Sequence, residues 1–405
     1  MEEYSTPAKT KTATVPAIPL DIVNEIADHL VGDSDFLSVR ACTLVSKSWV
    51  QPYQQHLFRV INLTSRSADR WAKTFPVPEE SPAHYVRDLR VWAEVDGHAL
   101  VMCSEYTPWF TNVERLSLLG DLGLPSLWGS SFWRLPRSVT SLAIDVNKIT
   151  LVQVRDIMAQ LPNLDTLILS VLDSLVRVDR RELKGIGTIL GGSFGGRLVL
   201  YDGFIDEDVV NMLSEIPSGL RFTEVQIHCF TPECLRSAIR LTEACRETLV
   251  KFTHKVTSQC MLAFMLEIPT LTPVPDADRW EISIGRSYDF SNCPNLQEVK
   301  FTFTAGWPGR GLPWIPMALS TLRPTTSPRL SAVRLCFTCL LIDRSVRTLI
   351  KDTGNDLRRV ASEVSRIERE FEGMVDFSVV SDSVFEMVLD NLSVRFRFVA
   401  SDEAD

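Results

Sequence analysis

Few residues of this chain have the types and spacing of reactive sites. Cys336-Phe337-Thr338-Cys339 has the CxxC spacing of metal and redox centres. A zinc site needs four ligands, and no second pair or histidines follow at suitable spacing. The run also reads as a strand, where two sulfurs three residues apart point to opposite faces. Gly185-Ile186-Gly187, Gly191-Gly192 and Gly195-Gly196 form a glycine-rich stretch. It fails the dinucleotide fingerprint at the third glycine and lacks the Gly-Lys-Ser/Thr of a phosphate loop, so it reads as a connection. His29, His56, His84, His98, His228 and His254 are not grouped with cysteines or carboxylates in an ordered way. There is no Gly-x-Ser-x-Gly and no His-Glu-x-x-His. The nine cysteines are scattered and odd in number, as expected of reduced thiols. The expectation is a non-enzyme with no metal and no cofactor.

The elements behind these residues are repetitive. Val86-Leu89-Val91, Val113-Leu116-Leu118, Val139-Leu142-Ile144 and Leu164-Leu167-Leu169 share one apolar template, and their central leucines are 27, 26 and 25 residues apart. The template returns at Phe222-Val225-Ile227, Leu296-Val299-Phe301 and Leu330-Val333-Leu335, with poorer copies near Leu198, Phe252, Ile282, Phe377 and Phe396. Leu161-Pro162-Asn163-Leu164, Cys293-Pro294-Asn295-Leu296 and Ser327-Pro328-Arg329-Leu330 are alike. This period and template are the leucine-rich-repeat signature, one short strand per unit. Val139 to Ile149 fits the fuller pattern, including Asn147. Helices are expected between strands: from Thr150 as cap, over Asp206 to Ile216, after Thr231-Pro232-Glu233, and from Asp343 to Glu372. The expected fold is α/β, a curved solenoid with a parallel sheet on its concave face. Alternation sends the residues flanking each central apolar position to that face. They include Asp88, Arg90, Arg115, Glu224, Gln226, Glu298, Lys300 and Arg334, the candidate target-binding set. Tryptophans in the loops Leu119 to Pro136 and Trp307 to Trp314 read as pins to the body.

The N-terminal fifty residues differ. Ile22, Val23, Ile26 and Leu30 fall on one helix face, with Asp21 at its start. Gly32-Asp33-Ser34-Asp35 breaks it and offers an N-cap. Leu37, Ala41, Leu44, Val45 and Ser48 form a second stripe, and Pro52 is placed to open a third helix. Helices this short cannot close a useful core alone, so exposed apolar surface and a partner are expected.

This segment resembles the F-box family, whose members dock substrate receptors onto the Skp-type adaptor of SCF ubiquitin ligases. The resemblance rests on Ile18-Pro19-Leu20-Asp21-Ile22, then Ile26 and Leu30, then Leu44-Val45-Ser46-Lys47-Ser48-Trp49. His56-Leu57-Phe58-Arg59 and Val60-Ile61-Asn62-Leu63 are similar to the continuation in many fungal members. Ile18 and Asp21 depart mildly from the family's Leu and Glu. The resemblance implies that Ile18, Pro19, Ile22, Ile26, Leu30, Leu44, Val45 and Trp49 bind the adaptor, and through it cullin and RING subunits. It divides the chain into a disordered tail (1–15), an F-box of three helices (16–63), a degenerate leucine-rich-repeat solenoid (64–400) and an acidic tail (401–405). The implied function is substrate recognition in an SCF-type ligase. The alternatives are an adaptor-bound scaffold without cullin and a binding protein gated by a small molecule.

Composition fits such a protein. Apolar residues make up 45%, and the net charge of −9 comes from interspersed signs, which argues against nucleic acid. Met1-Glu2-Glu3-Tyr4-Ser5 lacks the basic and apolar regions of a signal peptide. No apolar run reaches spanning length, so no membrane partner is expected. The expected compartment is cytoplasm, nucleus or both, and the expected partners are the adaptor and a protein target.

Overall fold

The computed structural model describes residues 18–32, 35–93, 109–121, 135–147, 149–170, 195–201, 207–214, 220–228, 232–255, 287–305, 314–339 and 346–381. The chain is α/β. Eleven strands form one sheet in which every pairing is parallel: β1 (Val60–Leu63), β2 (Asp88–Ala93), β3 (Arg115–Asp121), β4 (Ser141–Asn147), β5 (Thr166–Ser170), β6 (Arg197–Tyr201), β7 (Glu224–His228), β8 (Lys251–Lys255), β9 (Glu298–Ala305), β10 (Ala332–Cys339) and β11 (Asp376–Ser381). Their order in the sheet is their order in the chain. Each strand therefore pairs only with its sequence neighbours, as stacking of similar units requires.

The register explains why the apolar template recurs. Leu89, Leu116, Leu142, Leu167, Leu198, Val225, Phe252, Val299, Val333 and Phe377 lie side by side across ten strands. Two residues on, Val91, Leu118, Ile144, Leu169, Leu200, Ile227, His254, Phe301, Leu335 and Val379 form a second row. Both rows are buried in one continuous core, except that His254 joins it as a polar member. Burying each such side chain contributes about 1.5–3 kcal/mol. His254 is accommodated because its Nδ1 is 2.7 Å from the Tyr288 hydroxyl and its ring stacks on Trp314 at 4.5 Å.

A second repeat is written in hydrogen bonds. The carbonyl of Arg59 accepts the N–H groups of Arg87 and Asp88, and that of Arg87 accepts those of Glu114 and Arg115. Glu114, Thr140, Gly196, Thr223, Val250 and Gln297 do the same for the strand that follows. At Gly196 an added Cβ would meet the Asp165 carboxylate, an exposed side chain that would have to turn aside. The shared Pro-Asn-Leu introductions have a structural reason. The Asn163 side-chain amide donates to the Arg137 carbonyl at 3.0 Å, and that of Asn295 donates to the Glu247 carbonyl at 2.7 Å. Asn112 does likewise to His84 at 2.7 Å. In the third copy Arg329 instead donates to Asn295 Oδ1 at 3.0 Å.

The helices are α1 (Leu20–Gly32), α2 (Phe36–Cys42), α3 (Lys47–Leu57), α4 (Ser65–Thr74), α5 (Leu151–Ala159), α6 (Glu207–Ser214), α7 (Pro232–Ala244), α8 (Trp314–Ser320) and α9 (Val346–Glu370). Thr150 caps α5 as expected, in a capping box with Gln153. α9 buries Val360, Val364 and Ile367, and Phe371 just beyond it, an i, i+4, i+7, i+11 spacing that puts them on one face. Arg366 on α9 donates to the Leu319 and Leu322 carbonyls at 2.8 and 3.1 Å, tying α9 to the end of α8.

Three expectations are corrected. The segment Val60 to Leu63, read as the end of the helical module, is β1, hydrogen-bonded to β2. Pro52 does not open α3 but sits inside it. Its missing N–H forfeits one helical bond; Pro52 is itself buried, and Tyr53 beside it packs against α1 and α2. The second stripe is not one helix face, because α2 ends at Cys42, where Thr43 Oγ1 bonds back to the Arg40 carbonyl at 2.7 Å. Repeat copies at Ile282 and Phe396, Trp307, and the side chain of Asn147 lie outside the described residues. Among those residues no helix is long and apolar enough to cross a membrane.

Candidate functional site

Two surfaces stand out. The first is the α1–α3 module, whose small core is separate from that of the sheet. Val23, Ala27, Val39 and Tyr53 are buried together, with Ile26, Leu30, Trp49 and Leu57 packed against them. Asp35 Oδ1 accepts the Ser38 N–H at 3.1 Å and fixes the start of α2. Four interior residues cannot cover three helices, and the remaining apolar side chains face outward. Leu44 is 86% exposed and Leu37 82%. Ile18, Leu20, Ile22, Phe36 and Val45 are exposed as well.

The eight candidate adaptor residues thus separate into two groups. Ile18, Pro19, Ile22, Leu44 and Val45 are on the surface. Ile26, Leu30 and Trp49 are half-buried supports, Trp49 stacking on Tyr53 with centroids 5.8 Å apart. Leu20 and Phe36 were not singled out from the sequence. Their spacing on α1 and α2 belongs to no buried stripe, so only exposure identifies them.

The second surface is the face of the sheet opposite the core. Alternation places the candidate residues there as expected, in two rows. One row runs Asp88, Arg115, Ser141, Thr166, Arg197, Glu224, Lys251, Glu298 and Ala332. The other runs Arg90, Ser117, Ala143, Ile168, Val199, Gln226, Thr253, Lys300 and Arg334. Many of the charges are spent on one another. Arg90 and Arg115 approach Asp88 at 3.2 and 3.8 Å, Lys251 approaches Glu224 at 3.3 Å, and Arg334 approaches Glu298 at 3.1 Å. Asp88 is corrected from a presented contact to a buried partner, 5% exposed beneath two guanidinium groups. Lys300 has no ion-pair partner among the described residues.

A third row, not named from the sequence, follows on the same face. It holds Trp92, Leu119, Asp145 and Ser170 on β2 to β5, and Tyr201, His228 and Lys255 on β6 to β8. The His228 ring is 4% exposed and stacks on Tyr201 at 4.1 Å. Burial pulls its pKa from 6.5 to about 4, helped by Lys255 and Arg197. Burial likewise raises the Asp145 carboxyl, against a hydrogen bond with Ser170. His228 therefore makes stability depend on pH. The imidazole is neutral in the fold, while the unfolded chain takes up a proton below about pH 6.5. Stability is intact above that pH, falls as pH drops towards 4 and levels off below. The contribution is at most about 3 kcal/mol. Urea unfolding at pH 7.5 and pH 5 should show this loss, and His228→Phe should make it smaller; an unchanged pH dependence would contradict the assignment.

Between the module and the first strands lies a cleft of about 740 Å³ lined by Asn24, Asp28, His56, Arg59, Arg87 and Glu114 among others. Within it His56 lies 3.4 Å from Asp28, and Arg87 pairs with Glu114 at 3.0 Å. Of the CxxC pair, Cys336 is half-buried on the non-core face, and the Cys339 side chain lies outside the described residues. No group of three potential metal ligands occurs among the described residues. Comparison with known proteins adds no identity: no protein-family model and no curated protein matches this chain.

Proposed function

We propose that the chain is the substrate-recognition subunit of an SCF-type ubiquitin ligase. In this reading α1–α3 are an F-box that docks the Skp-type adaptor, and the strands and helices beyond are a degenerate leucine-rich-repeat solenoid whose non-core face holds a target protein. The observation that carries it is the set of large apolar side chains left on one small module: Ile18, Leu20, Ile22, Phe36, Leu37, Leu44 and Val45. Seven exposed large apolar side chains on so small a module favour a partner that covers them. The ordered motifs ending in Leu44-Val45-Ser46-Lys47-Ser48-Trp49 support the choice of partner. The mechanism is proximity. The chain holds a target beside a ubiquitin-charged enzyme reached through the adaptor, cullin and RING subunits, and raises the effective concentration of the reacting groups.

Affinity capture of the tagged chain from its source cells, read by mass spectrometry, tests this. Recovery of the adaptor with cullin is expected. Adaptor without cullin would favour a scaffold, and no adaptor would sink the reading. Charge reversals at Arg90, Lys300 and Arg334 test the target face. Lys300 is in no ion pair among the described residues and Arg334 is in an exposed one worth about 0–1 kcal/mol, so stability should move little there. Arg90→Glu sets a carboxylate against the buried Asp88 and should cost more. Target capture should fall and adaptor capture hold. A target tolerating all three would place binding elsewhere.

A further inference from the structure

The charges of the non-core face are not spread evenly along it. Its first row holds the acids of the later strands: Glu224 on β7, Glu298 on β9 and Asp376 on β11. From β6 to β10 the next two rows carry no carboxylate, and they carry three cations, Lys255, Lys300 and Arg334. This local excess of positive charge runs against a chain whose net charge is −9. Lys300 lies in register between Thr253 and Arg334, and Lys255 stands level with Thr302. At about 4.8 Å between strands and about 3.3 Å per residue along them, the three Cα atoms span about 12 Å.

These cations keep accessible surface and are little committed. Lys255 and Lys300 are half-buried, and Arg334 is exposed. Neither lysine has an ion-pair partner among the described residues. Arg334 pairs with Glu298 at 3.1 Å, with 48% of its own side chain exposed. Such a pair contributes only about 0–1 kcal/mol, so the guanidinium is able to turn to a second acceptor at little cost. The layout also selects the ligand. Cations spread over about 12 Å do not converge on one point, so several separate carboxylates match them better than one small anion. The acids of the first row line one side of the patch and, with the net charge, disfavour a long polyanion such as nucleic acid. About four extended residues cover the distance.

We propose that this patch on β8 to β10 binds a short acidic segment of a partner protein, whose Asp and Glu carboxylates meet Lys255, Lys300 and Arg334. The Thr253 and Thr302 hydroxyls between the cations serve as further donors to the segment. This rests on the target-binding half of the proposed function and names the chemistry of the target; it does not depend on the adaptor.

The test is panning of the full chain against a random dodecapeptide phage library, followed by fluorescence anisotropy on the recovered peptides. Runs of Asp and Glu should be enriched, and their affinity should fall as sodium chloride is raised. Lys255→Gln and Lys300→Gln should each weaken binding about three- to fivefold. Lys300→Glu should weaken it more, because it also gives the neighbouring Arg334 a carboxylate of its own. Arg115→Gln, on the same face at β3, should leave affinity unchanged, and urea unfolding of each variant reports that it is folded. Recovery of no peptides, recovery of peptides without acidic residues, or acidic peptides indifferent to all three lysine changes would overturn the site. Displacement by an equal charge of single-stranded DNA, or binding more than about tenfold tighter with phosphoserine in place of Asp, would overturn the choice of a carboxylate-bearing segment. Non-acidic peptides lost instead on Trp92→Ala or Arg115→Glu would leave the target face standing and remove only this patch.

Discussion

The double substitution Leu37→Asp with Leu44→Asp should abolish capture of the Skp-type adaptor and leave the protein folded. Both side chains are more than four-fifths exposed, so neither contributes to the core of the module or of the sheet. Surface changes of this kind alter stability by about 0.5 kcal/mol or less. At a docked interface, large apolar anchors cost about 2 kcal/mol or more each when lost, and a carboxylate in their place must also be desolvated. Together they should weaken binding on the order of a thousandfold. Pull-down with purified adaptor, alongside urea unfolding of both proteins, measures the two quantities. Undiminished capture would remove these residues from the interface. Trp49→Ala should also lose the adaptor, but by loosening the Trp49–Tyr53 stack that supports α1 and α2. Because the module core is separate, the sheet should survive that change.

Phe252→Ala should have the largest effect on stability. Phe252 is fully buried on β8, and its ring centroid lies 4.7 Å from Tyr288, 5.3 Å from Phe290 and 6.1 Å from Phe301. Truncating such a residue costs about 3–5 kcal/mol, transfer and cavity terms together. The strand order makes the damage local, since β8 pairs only with β7 and β9. Limited proteolysis should therefore open the chain around β8 first, with adaptor capture retained. A loss below about 1 kcal/mol, or cleavage elsewhere, would mean that the aromatic cluster is not what holds this part of the sheet.

Much of the sheet is legible because strand alternation and core burial impose the same spacing at each unit. The template at Leu89, Leu116, Leu142 and Leu167 is the trace of one core row. β1 escaped because four residues with one buried side chain, Leu63, carry too little pattern. Asn163 and Asn295 were visible as shared letters and Asn112 was not, and the reach of all three to a preceding carbonyl needed coordinates. The stripe Leu37 to Ser48 shows the limit of periodicity. It reports apolar residues at helical spacing and cannot say whether the chain itself covers them, and here Leu37 and Leu44 remain outside. The row through Tyr201 and His228 was invisible for another reason: its members lie on successive strands 27 residues apart, and nothing in either local pattern links them.

Hydrogen exchange of the full chain mixed with purified Skp-type adaptor tests the central claim most directly. The account predicts a one-to-one complex in which new protection falls on residues 18–49 and the strands from β2 onward are unchanged. No complex, or protection confined to the sheet, would contradict it.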